Sequence, residues 1–151
     1  MTPSADIEQI YRDEGDRLYY ALLAYAGDPD VAREAVAESF ARALASESSI
    51  REIAPWVWRV AFRIAVKDLK DRKRRADASE IDKYPAPEPR ELFDVLSQLS
   101  ERQRASIVLH YYVGYSLDEI ADILGTRKGT IGVHLHRGRA RLLELLEVDD
   151  D

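Results

Sequence analysis

A chain of 151 residues has room for one medium domain or two small ones, and with 46% hydrophobic and 33% charged residues it builds a core rather than staying disordered. It holds no cysteine, which excludes disulfides, thiol catalysis and cysteine zinc sites. No apolar run is long enough to cross a bilayer and residues 1–10 lack a basic-then-apolar leader, so a cytoplasmic protein without membrane insertion is expected. The net charge of −6 argues against a uniformly basic nucleic-acid binder, yet it hides blocks: −6 over residues 1–49, +6 over 50–75, −6 over 76–126, +4 over 127–146 and −4 over the last five.

Nearly every segment reads as helix, because hairpin signals and sustained apolar/polar alternation are scarce. A first helix is predicted over about 6–26. Its apolar positions Ile7, Ile10, Tyr11, Leu18, Leu22 and Tyr25 recur at helical spacing, and Gly27 is a natural stop. Asp28 as N-cap and Pro29 in the first turn restart the chain in a second helix to about 45, with Val36, Phe40 and Leu44 spaced by four. A loop over 46–54 follows. Pro55 opens a third helix to about 75, with Trp56, Val60, Ile64 and Leu69 as its apolar stripe. Five cations close it, Lys70 and Arg72 to Arg75 with Lys73 among them, partly as a device that suits the helix dipole.

Residues 76–91 are acidic and carry Pro85, Pro87 and Pro89. Three prolines in alternation cannot be helix interior, so this segment reads as an extended linker between domains 1–75 and 92–151. The second domain begins with Phe93, Leu96 and Leu99. Ser100 caps a helix to about 113, with Ile107, Val108, Tyr111 and Tyr112 apolar, and Gly114 ends it. Ser116 and Glu119 form a capping box for a short helix to 124, Gly125 turns the chain, and a last helix runs from 127 or 128 to 146.

Residues 116–135 have the layout of a helix-turn-helix. Ile120, Ala121 and Leu124 face inward from one helix, and Ile131 and Leu135 face back from the other. In such a motif the second helix enters the major groove with its N-terminal part. Arg127, Lys128 and Thr130 lie in or beside that first turn, with His136, Arg137, Arg139 and Arg141 further along. Arginine suits both guanine edges and phosphates. Enzyme chemistry is poorly supplied: His134 and His136 point about 200° apart on a helix, a poor metal pair. No phosphate-cradling glycine loop or dinucleotide fingerprint occurs. No catalytic residue, metal, cofactor or small-molecule substrate is expected.

Taken together, the motifs resemble those of an extracytoplasmic-function sigma factor of the sigma-70 family. The resemblance rests on Leu99-Ser-Glu-Arg-Gln-Arg104, Tyr115-Ser-Leu-Asp-Glu-Ile-Ala121, Ile123-Leu-Gly125, Gly129-Thr130 and Leu135-His-Arg-Gly-Arg139 in the second half. In the first half it rests on Glu34-Ala-Val-Ala-Glu-Ser-Phe-Ala-Arg-Ala-Leu44 and Trp56-Val-Trp-Arg-Val-Ala61 with the basic run after them. It implies an all-α chain: a region 2-like helical bundle, the proline-rich linker and a region 4-like helix-turn-helix. It implies core RNA polymerase, promoter DNA and an inhibitory anti-sigma protein as partners. Glu34, Glu38 and Arg42 would dock the polymerase clamp. The loop 46–54 with Arg59, Arg63, Lys67 and Lys70 would take the minus-ten element, where the family captures an unstacked base. Trp58, about 200° from Trp56, is the exposed indole expected to stack on such bases, and Trp56 is expected in the core. The helix-turn-helix would read the minus-thirty-five element.

Some positions depart from the family's pattern. Gly132, Val133 and His134 stand where Lys or Arg, then Ser, then Arg are frequent, which removes a DNA-facing cation and a hydrogen-bond donor. Ala37, Arg63 and Lys67 stand where Gln, Asn and Asp are common. These leave two other readings open: a stand-alone helix-turn-helix regulator that binds duplex DNA unaided, and a sigma-like interaction module with weakened DNA reading.

Overall fold

The computed structural model describes residues 3–78 and 91–149, and contacts divide the chain into two units, Met1–Pro85 and Ala86–Asp151. Among the described residues all regular structure is helical, the all-α architecture expected. Residues 79–90, with the three alternating prolines, lie outside the described residues. At the expected linker's front edge, residues 76–78 belong to the preceding helix.

Unit 1 is built from α1 (Pro3–Ala26), α2 (Pro29–Ser46) and α3 (Ile53–Ala78), with a 3-10 turn at Glu47–Ser49 where an open loop was expected. α1 ends where Gly27 adopts φ +67 and donates its N–H to the Leu23 carbonyl at 2.8 Å. The Asp28 carboxylate then accepts the N–H groups of Asp30 (2.9 Å) and Val31 (3.4 Å), two donors that α2 cannot satisfy within itself. The core joins Leu18, Leu22 and Tyr25 of α1 to Val31 and Phe40 of α2 and to Val57 and Phe62 of α3. Fully buried Ala21, Ala32, Ala35, Ala43, Ala61 and Ala65 let the three helices approach closely. Each large apolar side chain so buried stabilises by about 1.5–3 kcal/mol.

Expected core positions are corrected in each of the three helices. Leu44 is exposed, because α2 turns Ala43 inward instead. Tyr11 is exposed and covers the edge of Phe40, with ring centroids 5.2 Å apart in a T-shaped pair. In α3 the buried face is Val57, Trp58, Ala61, Phe62 and Ala65, whereas Trp56, Val60, Ile64 and Leu69 are only half-buried along its flank.

Unit 2 contains α4 (Glu91–Ser97), α5 (Glu101–Ile107), α6 (Leu117–Leu124) and α7 (Lys128–Asp149). Ser100 and Gln103 close a capping box on α5. Beyond Ile107 the helix continues as a π-helical turn, Val108–Val113, and stops at Gly114 with φ +90. That turn sets Tyr111 and Tyr112 outward rather than in the apolar core. The core here is Val95, Leu96, Leu99, Ile107, Leu109, Ile120, Ile123, Leu124, Ile131 and Leu135.

Candidate nucleic-acid interface

The α6–α7 pair forms the expected motif. Ser116 Oγ accepts the Glu119 N–H at 3.2 Å, and the Glu119 carboxylate accepts the Ser116 N–H at 3.1 Å. Gly125 takes φ +68, which a glycine adopts without a Cβ penalty, and the Thr126 N–H reaches back to the Ala121 carbonyl. Ile120, Ala121, Leu124, Ile131 and Leu135 are all buried, so both helices are held by the residues expected. Arg102 of α5 adds a brace by donating to the Leu124 carbonyl at 2.9 Å, at the end of α6.

Arg127, Lys128, Thr130, His136, Arg137, Arg139 and Arg141 are all exposed. Thr130, His136 and Arg137 lie on the side of α7 away from Ile131 and Leu135. Three of the other cations are engaged by neighbours. Lys128 lies 3.7 Å from Asp118, Arg141 pairs with Glu144 at 3.1 Å, and Arg139 donates to the Tyr111 hydroxyl. These ion pairs are solvent-exposed, so each stabilises by at most about 1 kcal/mol and a phosphate can replace its partner. His134 is half-buried, and burial followed by the charges of Arg102 and Arg137 lowers its pKa.

In unit 1, Arg59, Arg63, Lys67 and Lys70 are exposed and recur at spacings of four, four and three, which aligns them along the outward face of α3. Trp56 heads the same face. With Ile50, Arg51, Glu52, Pro55, Arg59, Val60 and Arg63 it lines a cleft of about 390 Å³. The two tryptophans therefore exchange their expected positions: Trp56 borders the cleft and Trp58 lies in the core. Trp58 is only 6% exposed, its ring stacked on Phe62 at 6.4 Å and 14°, with the Arg17 guanidinium 5.4 Å above it. Trp58 faces inward because it shares a helix face with Ala61, Phe62 and Ala65, so it is not available to stack on a base. Of the other cleft residues Arg51 was not singled out by the sequence; it lies in the loop 46–54, which the resemblance assigns to the promoter.

Glu34, Glu38 and Arg42 are exposed on one face of α2, spaced by four. Glu38 pairs with Arg42 at 2.9 Å, and Glu34 accepts from Arg72 of α3 at 3.0 Å. Arg72 also reaches Asp68 (3.2 Å) and the capping Asp28 (3.6 Å), so one guanidinium ties the second half of α3 to the start of α2. A shallow apolar groove runs alongside, floored by Ala37, Ala41 and Ile64. Among the described residues no cluster of His, Asp or Glu could hold a metal ion, and no helix is long and apolar enough to cross a membrane.

The family model "Sigma-70, region 4" matches residues 90–142, which include the whole α6–α7 turn. The ECF RNA polymerase sigma factor SigW of Bacillus subtilis is 29% identical, over 94% of this chain and 88% of its own length. The ECF RNA polymerase sigma factor SigE of Mycolicibacterium smegmatis is 26% identical over 92% of this chain, which spans 61% of that longer protein. Among solved structures, the sigma factor RpoE of Bartonella quintana, crystallised with the anti-sigma factor NepR, superposes with a TM-score of 0.77 at 25% identity over 95% of this chain and 98% of that one. The likeness runs the length of both units, and not through the helix-turn-helix alone: the chain is similar throughout to extracytoplasmic-function sigma factors of the sigma-70 family.

Proposed function

We infer that the chain is a transcription initiation factor that binds core RNA polymerase and directs it to promoters. Unit 1, through α1 to α3, takes the minus-ten element, and unit 2, through α6 and α7, takes the minus-thirty-five element. The observation that carries this reading is a pair of cationic surfaces of different shape. One is a cleft where an indole stands beside Arg51, Arg59 and Arg63; the other is the protruding second helix of a helix-turn-helix. A cleft suits an unpaired base, whose stacking on an aromatic ring contributes about 1–3 kcal/mol. A protruding helix suits the major groove of a duplex.

In this reading Trp56, not Trp58, takes the stacking role, and Arg59, Arg63, Lys67 and Lys70 follow the strand's phosphates. Captured bases favour the opened strand over the duplex, so opening needs no covalent step from this chain; the polymerase supplies the chemistry. Glu34, Glu38 and Arg42 meet the polymerase. The short side chains of Ala37 and Ala41 leave the groove open beside them, and the exposed Glu38–Arg42 pair is cheap to exchange for partner charges. An inhibitory anti-sigma protein completes the set of partners, and the chain acts in the cytoplasm with the polymerase.

The test is co-elution of the purified chain with bacterial core RNA polymerase on a sizing column. Near-stoichiometric co-elution is expected. No co-elution, together with tight binding of the chain alone to duplex DNA, overturns the reading in favour of a stand-alone regulator.

A further inference from the structure

Val133 occupies an unusual place for an aliphatic residue. It is 45% exposed on the first turns of α7. Ile131 and Leu135, which are 0% and 3% exposed, anchor the helix to its unit. Val133 lies between them in sequence and about half a turn away from both, so it projects from the centre of the outward face. Thr130, His136 and Arg137 surround it there, and all are exposed. A branched aliphatic group at that point can neither donate to nor accept from a base edge. The one apolar feature that a base presents in the major groove is the 5-methyl group of thymine.

We propose that Val133 is a specificity-determining residue that reads the 5-methyl group of a thymine in the upstream promoter element. The proposal rests on the reading of α7 as the helix that enters that element. It places the thymine opposite the middle of α7, with the polar reach of Arg137 and Thr130 falling on the neighbouring base pairs. Val133 then discriminates thymine from cytosine, which lacks the methyl, by packing alone.

Holoenzyme made from the full chain and core polymerase is used to select from promoters randomised in the upstream element. In the best promoter each thymine of that element is then replaced, one at a time, by uracil, which removes only the methyl. One replacement is expected to weaken binding by about fourfold, the worth of one buried methyl-sized group. Val133→Ala holoenzyme is expected to bind the thymine and uracil versions equally. That variant keeps its fold, since position 133 is exposed and alanine is the better helix former. An enriched upstream sequence with no uracil penalty, or with a penalty that persists in Val133→Ala, overturns the proposal and leaves α7 as the reader. Absence of any enriched upstream sequence overturns the reading of α7 itself.

Discussion

His134 sits half-buried on α7, within the field of Arg102 and Arg137, and its pKa is lowered by burial first and by those two charges next. The unfolded chain, with an ordinary imidazole near 6.5, therefore binds a proton more readily than the folded one. The stability tied to His134 is complete above that value and is lost as pH falls through the lowered folded value. Between pH 7 and 5.5 the chain should lose stability relative to His134→Gln, whose side chain does not titrate. Urea unfolding followed by circular dichroism across that range checks it, and an NMR titration of the ring proton locates the folded value. A gain in stability on acidification would contradict the arrangement of Arg102, His134 and Arg137. The tryptophan pair shows what a residue-level reading of sequence can hold. That Trp56 and Trp58 face opposite ways follows from helix geometry. Which of them faces inward depends on Ala61 and Ala65, small residues that carry little apolar signal yet mark where α3 meets its neighbours.

At the level of elements, ends were more legible than faces. Gly27, Gly114 and Gly125 stop their helices with φ of +67, +90 and +68, and Asp28, Ser100 and Ser116 cap the helices that follow. These signals are local and need no knowledge of packing. Inward faces were legible where Ile and Leu define them, as in α6 and α7, and were shifted where alanines do, as in α2 and α3. The π-helical turn over Val108–Val113 left no periodic trace, since a wider turn in a short segment still looks amphipathic. The glycines of α7 offer a test of its packing. A Cβ at Gly132 would lie 3.9 Å from Leu117, an ordinary contact, so Gly132→Ala should raise stability by about 0.5–1 kcal/mol through helix propensity. A Cβ at Gly138 would lie 3.1 Å from Ile107 Cγ1. Ile107 is buried and branched at Cβ, so it cannot swing clear, and Gly138→Ala should forfeit that gain or turn it into a loss. Thermal unfolding of the two variants, read as a difference in Tm, gives the comparison; equal gains would mean that α5 yields to α7.

Across the whole molecule the charge blocks set how the parts work together. The chain carries −6 overall, with its cations gathered on α3 and α7 and acidic stretches elsewhere in the sequence. Alone, it should bind duplex DNA weakly, because the acidic blocks repel the phosphates that the basic ones attract. In the proposed reading each cation set acts on its own promoter element once the polymerase is bound, and such contacts release counterions, so affinity should fall steeply with added salt. The polymerase adds phosphate contacts of its own, so the informative quantity is the change that one substitution makes. Arg63→Gln should lower the slope of log affinity against log salt by about one, with little dependence on the upstream sequence. Arg137→Ala should instead cost about 1–3 kcal/mol on promoters that carry the preferred upstream element and little on those without it, if the guanidinium reads a base. Co-elution of either variant with core polymerase should be unchanged, because neither residue lies on the α2 face that carries Glu34, Glu38 and Arg42. Filter binding of holoenzyme at several salt concentrations, set beside co-elution, separates these effects. A parallel loss of polymerase binding in Arg137→Ala would mean that unit 2 also holds the polymerase, and that DNA reading and docking are not divided between the units as proposed.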